Sequence, residues 1–171
     1  MAQGKGRFFT SVQNLRFVAF EVGNVLFGLD IDVVKEAVVC QGLLRRDWLP
    51  DLVDGYAKVR GLSIPVFDLR RIFGFKVEFN SGTRLLLSSF EGRIAGLVVD
   101  AITDVELAGS DSDQAHLLLS DEEERAQWLR YVSRVYDSPE YGKIHIIDPS
   151  KLIEQIDSGF LQSMLPKDPC A

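Results

Sequence analysis

The sequence predicts a mainly β protein made of two related β units, with short helices after two of the strands. Three observations carry this. Short apolar runs recur between turn dipeptides such as Gly23-Asn24 and Glu91-Gly92, which suit the positive φ of a two-residue hairpin. The stretch Gly61-Leu62-Ser63-Ile64-Pro65-Val66-Phe67-Asp68, followed by a helical stretch, is echoed by Gly142-Lys143-Ile144-His145-Ile146-Ile147-Asp148, followed by Pro149-Ser150-Lys151-Leu152-Ile153. In each a glycine turn feeds an apolar strand and an aspartate caps a helix; in the second, proline occupies the first helical turn, where its missing N–H costs nothing. Finally, 171 residues of 46% hydrophobic content can bury a sizeable core, as one domain or two intimate subdomains.

The elements follow in order. Leu15 to Val22 and Val25 to Leu29 form a hairpin around Gly23-Asn24. Asp30 or Asp32 caps a short turn over Val33 to Glu36, and Ala37 to Cys40 then runs extended. Within Val53 to Phe73, period-two alternation puts Tyr56, Lys58 and Arg60 on one strand face and Ala57 and Val59 on the other. Gly61 opens a turn, and Leu62, Ile64 and Val66 line one face of the returning strand. Asp68 fits as N-cap of a helix over Leu69 to Phe73 that closes at Gly74, where a left-handed residue favours glycine. Thr83 to Phe90 and Arg93 to Asp100 flank Glu91-Gly92 as another hairpin, entered through Asn80-Ser81-Gly82. Ala101 to Leu107 predicts a further strand, and Gly109 to Asp113 a loop. Ser120 and Glu123 have capping-box spacing, which predicts a short helix over Ser120 to Leu129. Strand character resumes over Leu129 to Tyr136, before the turn Asp137 to Gly142.

Composition excludes several function classes. A net charge of −6 and a pI near 4.9 argue against a general nucleic-acid binder, because phosphate neutralisation needs an excess of cations. The charges are segregated. Residues 45 to 71 carry Arg45, Arg46, Lys58, Arg60, Arg70 and Arg71 against four aspartates, and residues 104 to 124 carry eight acids and no Lys or Arg. Opposed patches of this kind steer association; the acidic stretch also reads simply as a solvated face. No apolar run approaches the ~20 residues needed to cross a bilayer, and the N-terminal stretch lacks the apolar core of a signal peptide, so a cytoplasmic location without membrane insertion is expected. Gly4-Lys5-Gly6-Arg7 lacks Walker spacing and reads as a disordered tail. Cys40 and Cys170 make neither a disulfide framework nor a metal spacing, and read as free thiols. His116 and His145 belong to no nucleophilic or zinc-binding constellation and read as satisfied strand histidines. The acidic pairs Asp30 with Asp32 and Asp104 with Glu106 lack the further oxygen donors a cation needs. No catalytic residue, metal or cofactor is expected.

The Val53 to Phe73 segment resembles the hallmark of the CheW family, the coupling proteins of bacterial chemotaxis: Gly-x-x-Asn-x-Arg-Gly, an apolar strand, Pro-Val and Asp-Leu-Arg. Gly55, Arg60, Gly61, Pro65, Val66, Asp68, Leu69 and Arg70 match, with Lys58 in place of the asparagine. Val33-Val34-Lys35-Glu36 and Leu49-Pro50 upstream, and Gly96 to Asp100 and Ile146 to Leu152 downstream, extend the resemblance over about residues 15 to 157. It implies two five-stranded, SH3-like β-barrels packed side by side over residues 15–157, between an N-terminal tail (1–14) and a C-terminal tail (158–171).

It further implies a non-enzymatic adaptor that joins the cytoplasmic tip of a transmembrane chemoreceptor to the regulatory domain of the histidine kinase CheA, at receptor arrays. The receptor interface it implies is Glu36, Lys58 and Arg60; the kinase interface is Leu49, Leu52, Val53 and Gly55. Glu36 and Arg60 also read as a local salt bridge, and Val53 as hairpin core. Two other functions stay open: a similar adaptor for a chemosensory system controlling pili, gliding or development, and a small-ligand-binding β-barrel, which needs a pocket with convergent polar groups.

Overall fold

The computed structural model describes residues 15–108, 123, 125–155, 159, 163 and 165–168. Among them, ten strands form two five-stranded sheets. The first sheet contains β1 (Leu15–Val22), β2 (Val25–Asp30), β8 (Ala101–Ala108), β9 (Val132–Ser138) and β10 (Gly142–Ile147), in the order β8-β1-β2-β10-β9. The second contains β3 (Val34–Val39), β4 (Gly55–Val59), β5 (Leu62–Asp68), β6 (Arg84–Phe90) and β7 (Arg93–Val99), in the order β3-β6-β7-β5-β4. Helices α1 (Leu69–Phe73) and α2 (Ser150–Ile153) follow β5 and β10, and a 3₁₀ turn (Gln127–Tyr131) precedes β9.

The sheets repeat one pattern. Across each, successive pairings run antiparallel, antiparallel, parallel, antiparallel, so that β8, β1, β2, β10 and β9 correspond to β3, β6, β7, β5 and β4. The second sheet uses one continuous stretch of chain. The first is assembled from the N-terminal hairpin and the later strands β8 to β10. The internal echo is therefore structural: β5-α1 and β10-α2 occupy equivalent places. Asp68 Oδ1 accepts from the Arg70 N–H at 3.1 Å, as Asp148 Oδ1 accepts from the Ser150 N–H at 3.0 Å. Gly74 ends α1 at φ 84°, as its position after the apolar run predicts.

Inner strands of both sheets bury both faces, and the two faces feed different cores. On β7, Ala95, Leu97 and Val99 join a core shared by the two sheets, while Ile94 and Val98 join a cluster inside the second sheet with Ile64, Val66, Leu85 and Leu87. On β1, Phe20 and Val22 face the shared core, and Phe17 and Ala19 face a smaller cluster inside the first sheet, with Ile144 and Ile146. This double burial explains why Gly96-Leu97-Val98-Val99 reads as a continuous apolar run. Gly28 and Gly96 hold equivalent positions where neighbouring side chains close in: a Cβ would stand 2.5 Å from Ile146 Cδ1 and 2.6 Å from Leu85 Cδ1, respectively.

Four expectations are corrected. Among the described residues the barrels are not closed rings, because no ladder joins β8 to β9 or β3 to β4; closure needs matched tilt and stagger across the seam. The turn after β2 ends at Val33, and Val34 to Glu36 already belong to β3, where pairing with β6 competes successfully with local capping. Arg60 lies in the β4-β5 turn, with φ 48° followed by Gly61 at 82°, because a two-residue hairpin loop ends the strand at Val59. Leu129 to Tyr131 are 3₁₀ rather than strand, since the buried rings of Trp128 and Tyr131 pack into the shared core. The loop Gly109 to Asp113, His116, Cys170, Gly4 to Arg7 and the capping residue Ser120 lie outside the described residues.

Candidate functional site

Curling of the second sheet brings its two edges towards each other, and the seam between them gathers several of the predicted interaction residues. Glu36 lies on edge strand β3, and Arg60 in the turn leaving edge strand β4. Arg60 Nη2 donates to Glu36 Oε1 at 2.7 Å, across the gap that no ladder spans. Arg60 is 76% exposed and Glu36 32% exposed, so the bridge is worth little to folding. A left-handed turn position is an unusual place for arginine. Lys58, two residues away on β4 opposite Ser63, is exposed. The three residues form a charged rim at one end of the second sheet.

The second predicted set is placed differently. Val53 is buried in the shared core, while Leu49 and Leu52 are half-buried and pack against it. Gly55 is buried at φ 151°, and a Cβ there would lie 2.8 Å from the Leu44 carbonyl oxygen. That close approach allows residue 44 to pair with β4: Leu44 N–H donates to Tyr56 O at 2.8 Å, and Tyr56 N–H to Leu44 O at 2.9 Å. The connection from β3 thus reaches the free edge of β4 at a single point. It carries apolar groups that sequence reasoning did not single out. Trp48 is 62% exposed, Leu44 is 46% exposed, and the Trp48 and Tyr56 rings stand 6.4 Å apart. Burial pushes the Tyr56 phenol above its ordinary pKa, so it stays a neutral hydroxyl. Exposed Arg45, Arg46 and Asp47 lie between Leu44 and Trp48. The missed signal was the pairing of a Trp with two arginines in a loop, a composition common where proteins touch.

The Asp-Leu-Arg motif serves the fold rather than the surface. Arg70 is fully buried; its Nε and Nη2 donate to the two Asp68 oxygens at 2.9 and 2.7 Å, and its Nη1 reaches the Glu78 carbonyl at 2.5 Å and Asp100 Oδ1 at 3.4 Å. Burial opposes the guanidinium charge, but the hydrogen bonds and charges of Asp68 and Asp100 outweigh it and hold the pKa above the ordinary value. Asp100 Oδ2 also accepts from Gly23 N–H at 2.7 Å, so this network joins α1 to the first hairpin of the other sheet. Arg71 donates to Asp54, which in turn accepts from Asp68 N–H at 2.8 Å and orders the approach to β4. Of the predicted basic patch, Arg70 is therefore internal.

A cleft of ≈ 800 Å³ lies between the sheets, with Phe90, Ile147 and Leu165 in its walls beside Arg93, Arg134 and Asp148. Among the described residues, no group of three His, Cys, Asp or Glu is placed to hold a metal ion, and no helix is long and apolar enough to cross a membrane. His145 is buried and bonded at both ring nitrogens.

A family model described as CheW-like domain matches residues 16–157. Chemotaxis protein CheW of Klebsiella aerogenes is 33% identical over 90 residues, which cover 52% of this chain and 54% of that protein. Chemotaxis protein CheW of Helicobacter pylori is 32% identical over 109 residues, covering 63% of this chain and 66% of that protein. The chain thus spans between about half and two thirds of these curated relatives. A crystal structure of the scaffolding protein TtCheW from Thermoanaerobacter tengcongensis matches with a TM-score of 0.67 at 26% identity, covering 79% of this chain and 89% of that one.

Proposed function

The chain belongs to the CheW-like domain family, and from that premise we propose that it is a non-enzymatic adaptor of chemotaxis signalling, coupling chemoreceptors to the kinase CheA in the cytoplasm. The observation that carries the reading is the presence, along one sheet, of two neighbouring surface features of different chemistry: the charged rim of Glu36, Lys58 and Arg60, and an apolar patch of exposed Leu44 and Trp48 against half-buried Tyr56. The rim meets the receptor tip. The patch meets the regulatory domain of the kinase, with Leu49, Leu52, Val53 and Gly55 acting as the support that holds it out. Simultaneous binding raises the effective concentration of each second contact, so the adaptor needs no chemistry of its own. Receptor state reaches the kinase only if one receptor state binds this surface better than the other.

Two variants test the assignment. Trp48→Ala should weaken binding to the kinase regulatory domain by about 2 kcal/mol, as for an exposed aromatic anchor buried on association, and leave receptor binding unchanged. Arg60→Glu should weaken binding to a receptor fragment and leave kinase binding intact, since it places two like charges together at the rim. Titration of each variant against each partner decides the matter. Equal loss of both bindings in both variants would eliminate the two-surface reading.

A further inference from the structure

His145 sits on β10 with its side chain buried, between Trp128 and Phe27, whose ring centroids lie 4.6 and 5.7 Å away. Nδ1 is 3.0 Å from the Leu26 carbonyl oxygen on β2, and Nε2 is 3.1 Å from Glu123 Oε1. The other Glu123 oxygen accepts from Lys143 Nζ at 2.8 Å. A neutral imidazole carries one N–H and one lone pair, yet both nitrogens here face oxygen acceptors. One tautomer sets its lone pair against the Leu26 carbonyl; the other sets it against the Glu123 carboxylate. A second proton on the ring satisfies both contacts.

We propose that His145 and Glu123 form a proton-operated latch, in which the doubly protonated ring holds the Leu26 carbonyl and the Glu123 carboxylate together and gives residue 123 a second anchor on β10 beside Lys143. When the ring gives up that proton, Nδ1–H keeps the Leu26 bond and Nε2 repels the carboxylate, which is left to Lys143. The latch bears on a segment that ties the two sheets. Ala126 N–H donates to the Glu123 carbonyl at 3.1 Å, Gln127 Nε2 donates to the Ile72 carbonyl on α1 at 3.1 Å, and Trp128 and Tyr131 enter the shared core.

The charged groups acting on the ring are Glu123, from the chain ahead of the 3₁₀ turn, and Lys143, from its own strand; β2 contributes the Leu26 carbonyl and Phe27, and the 3₁₀ turn contributes Trp128. Burial is the largest effect and pushes the ring below its ordinary pKa. The Leu26 carbonyl and Glu123 oppose this, and Lys143 adds to it. The latch accordingly closes on the acid side of about pH 6.5. Within the folded state, a docked Glu123 raises the affinity of the ring for its second proton. By linkage, each pKa unit between docked and released states changes the latch equilibrium about tenfold.

Hydrogen exchange at the Ala126 amide, corrected for the intrinsic rate, tests this in the full chain between about pH 7.5 and pH 5.5, alongside an NMR titration of the His145 ring. Protection in the wild type should rise, by up to about tenfold, in step with ring protonation. In Glu123→Gln the side-chain amide donates to the neutral Nε2, so protection should stay level across the range. In Lys143→Met, removal of a neighbouring positive charge should move the midpoint to higher pH. Wild-type protection that does not follow the ring titration, or a Glu123→Gln protein that follows it as the wild type does, overturns the latch.

Discussion

Replacing Arg70 by methionine isolates what the Asp-Leu-Arg motif does. The substitution keeps an unbranched side chain of similar reach but removes the bonds to Asp68, the Glu78 carbonyl and Asp100. Asp68 is 3% exposed, so its carboxylate is stranded with the Arg70 backbone N–H and no cation. Breaking one side of a buried pair in this way destabilises by about 3–5 kcal/mol. Against a total stability of about 5–15 kcal/mol this is a large share, and for a chain of this size it lowers Tm by roughly 6–20 °C. Urea and thermal unfolding at neutral pH measure it. The companion variant Asp68→Asn/Arg70→Met keeps a capping oxygen and removes the stranded charge, so it should recover about 1–2 kcal/mol of the loss. A single variant within about 1 kcal/mol of wild type, or a double variant no more stable than the single, would refute the claim that the ion pair shields a buried charge.

The remaining predictions concern support and pH. Gly55→Ala should destabilise by about 1–3 kcal/mol, because its Cβ meets the Leu44 carbonyl at 2.8 Å. The same change should loosen the Leu44-Tyr56 bridge, detectable as faster hydrogen exchange at the Leu44 and Tyr56 amides; unchanged exchange would mean that the approach is slack. Because burial lowers the folded pKa of His145 below its unfolded value, the neutral ring favours folding. That contribution is present above about pH 6.5 and lost as pH falls through the folded pKa. Chemical denaturation of His145→Gln should show a weaker loss of stability below that pH than wild type, and identical slopes would remove His145 as the cause.

Much of the fold is legible in the chain because its signals are short-range. Gly23-Asn24 and Glu91-Gly92 mark hairpins through backbone preference alone, and Asp68 with Gly74 brackets α1 by satisfying its orphaned end groups. The echo of β5-α1 in β10-α2 is legible because equivalent positions need the same glycine, apolar and aspartate chemistry. The motif around Arg60 also marks an exposed turn, where Arg60 pairs with Glu36. Alternation carried Arg60 one step too far, since a strand and the first residue of its turn share the same period in sequence and differ only in the sign of φ.

Pairing between distant segments was decided by tertiary structure alone. That the N-terminal hairpin completes a sheet with β8 to β10 depends on Phe27 meeting His145, across a span no local pattern records. Whether a sheet closes depends on strand tilt and stagger, which side-chain identity does not encode locally. Val53 and Trp48 are apolar residues five positions apart in one loop, yet one is buried and the other mostly exposed. Arg70 and Arg60 are both motif arginines, yet one neutralises an internal carboxylate and the other reaches across a surface gap. Residue type and spacing determine what a segment can form. Which of its faces loses water depends on the elements the rest of the chain brings against it, and that is a property of the packed whole.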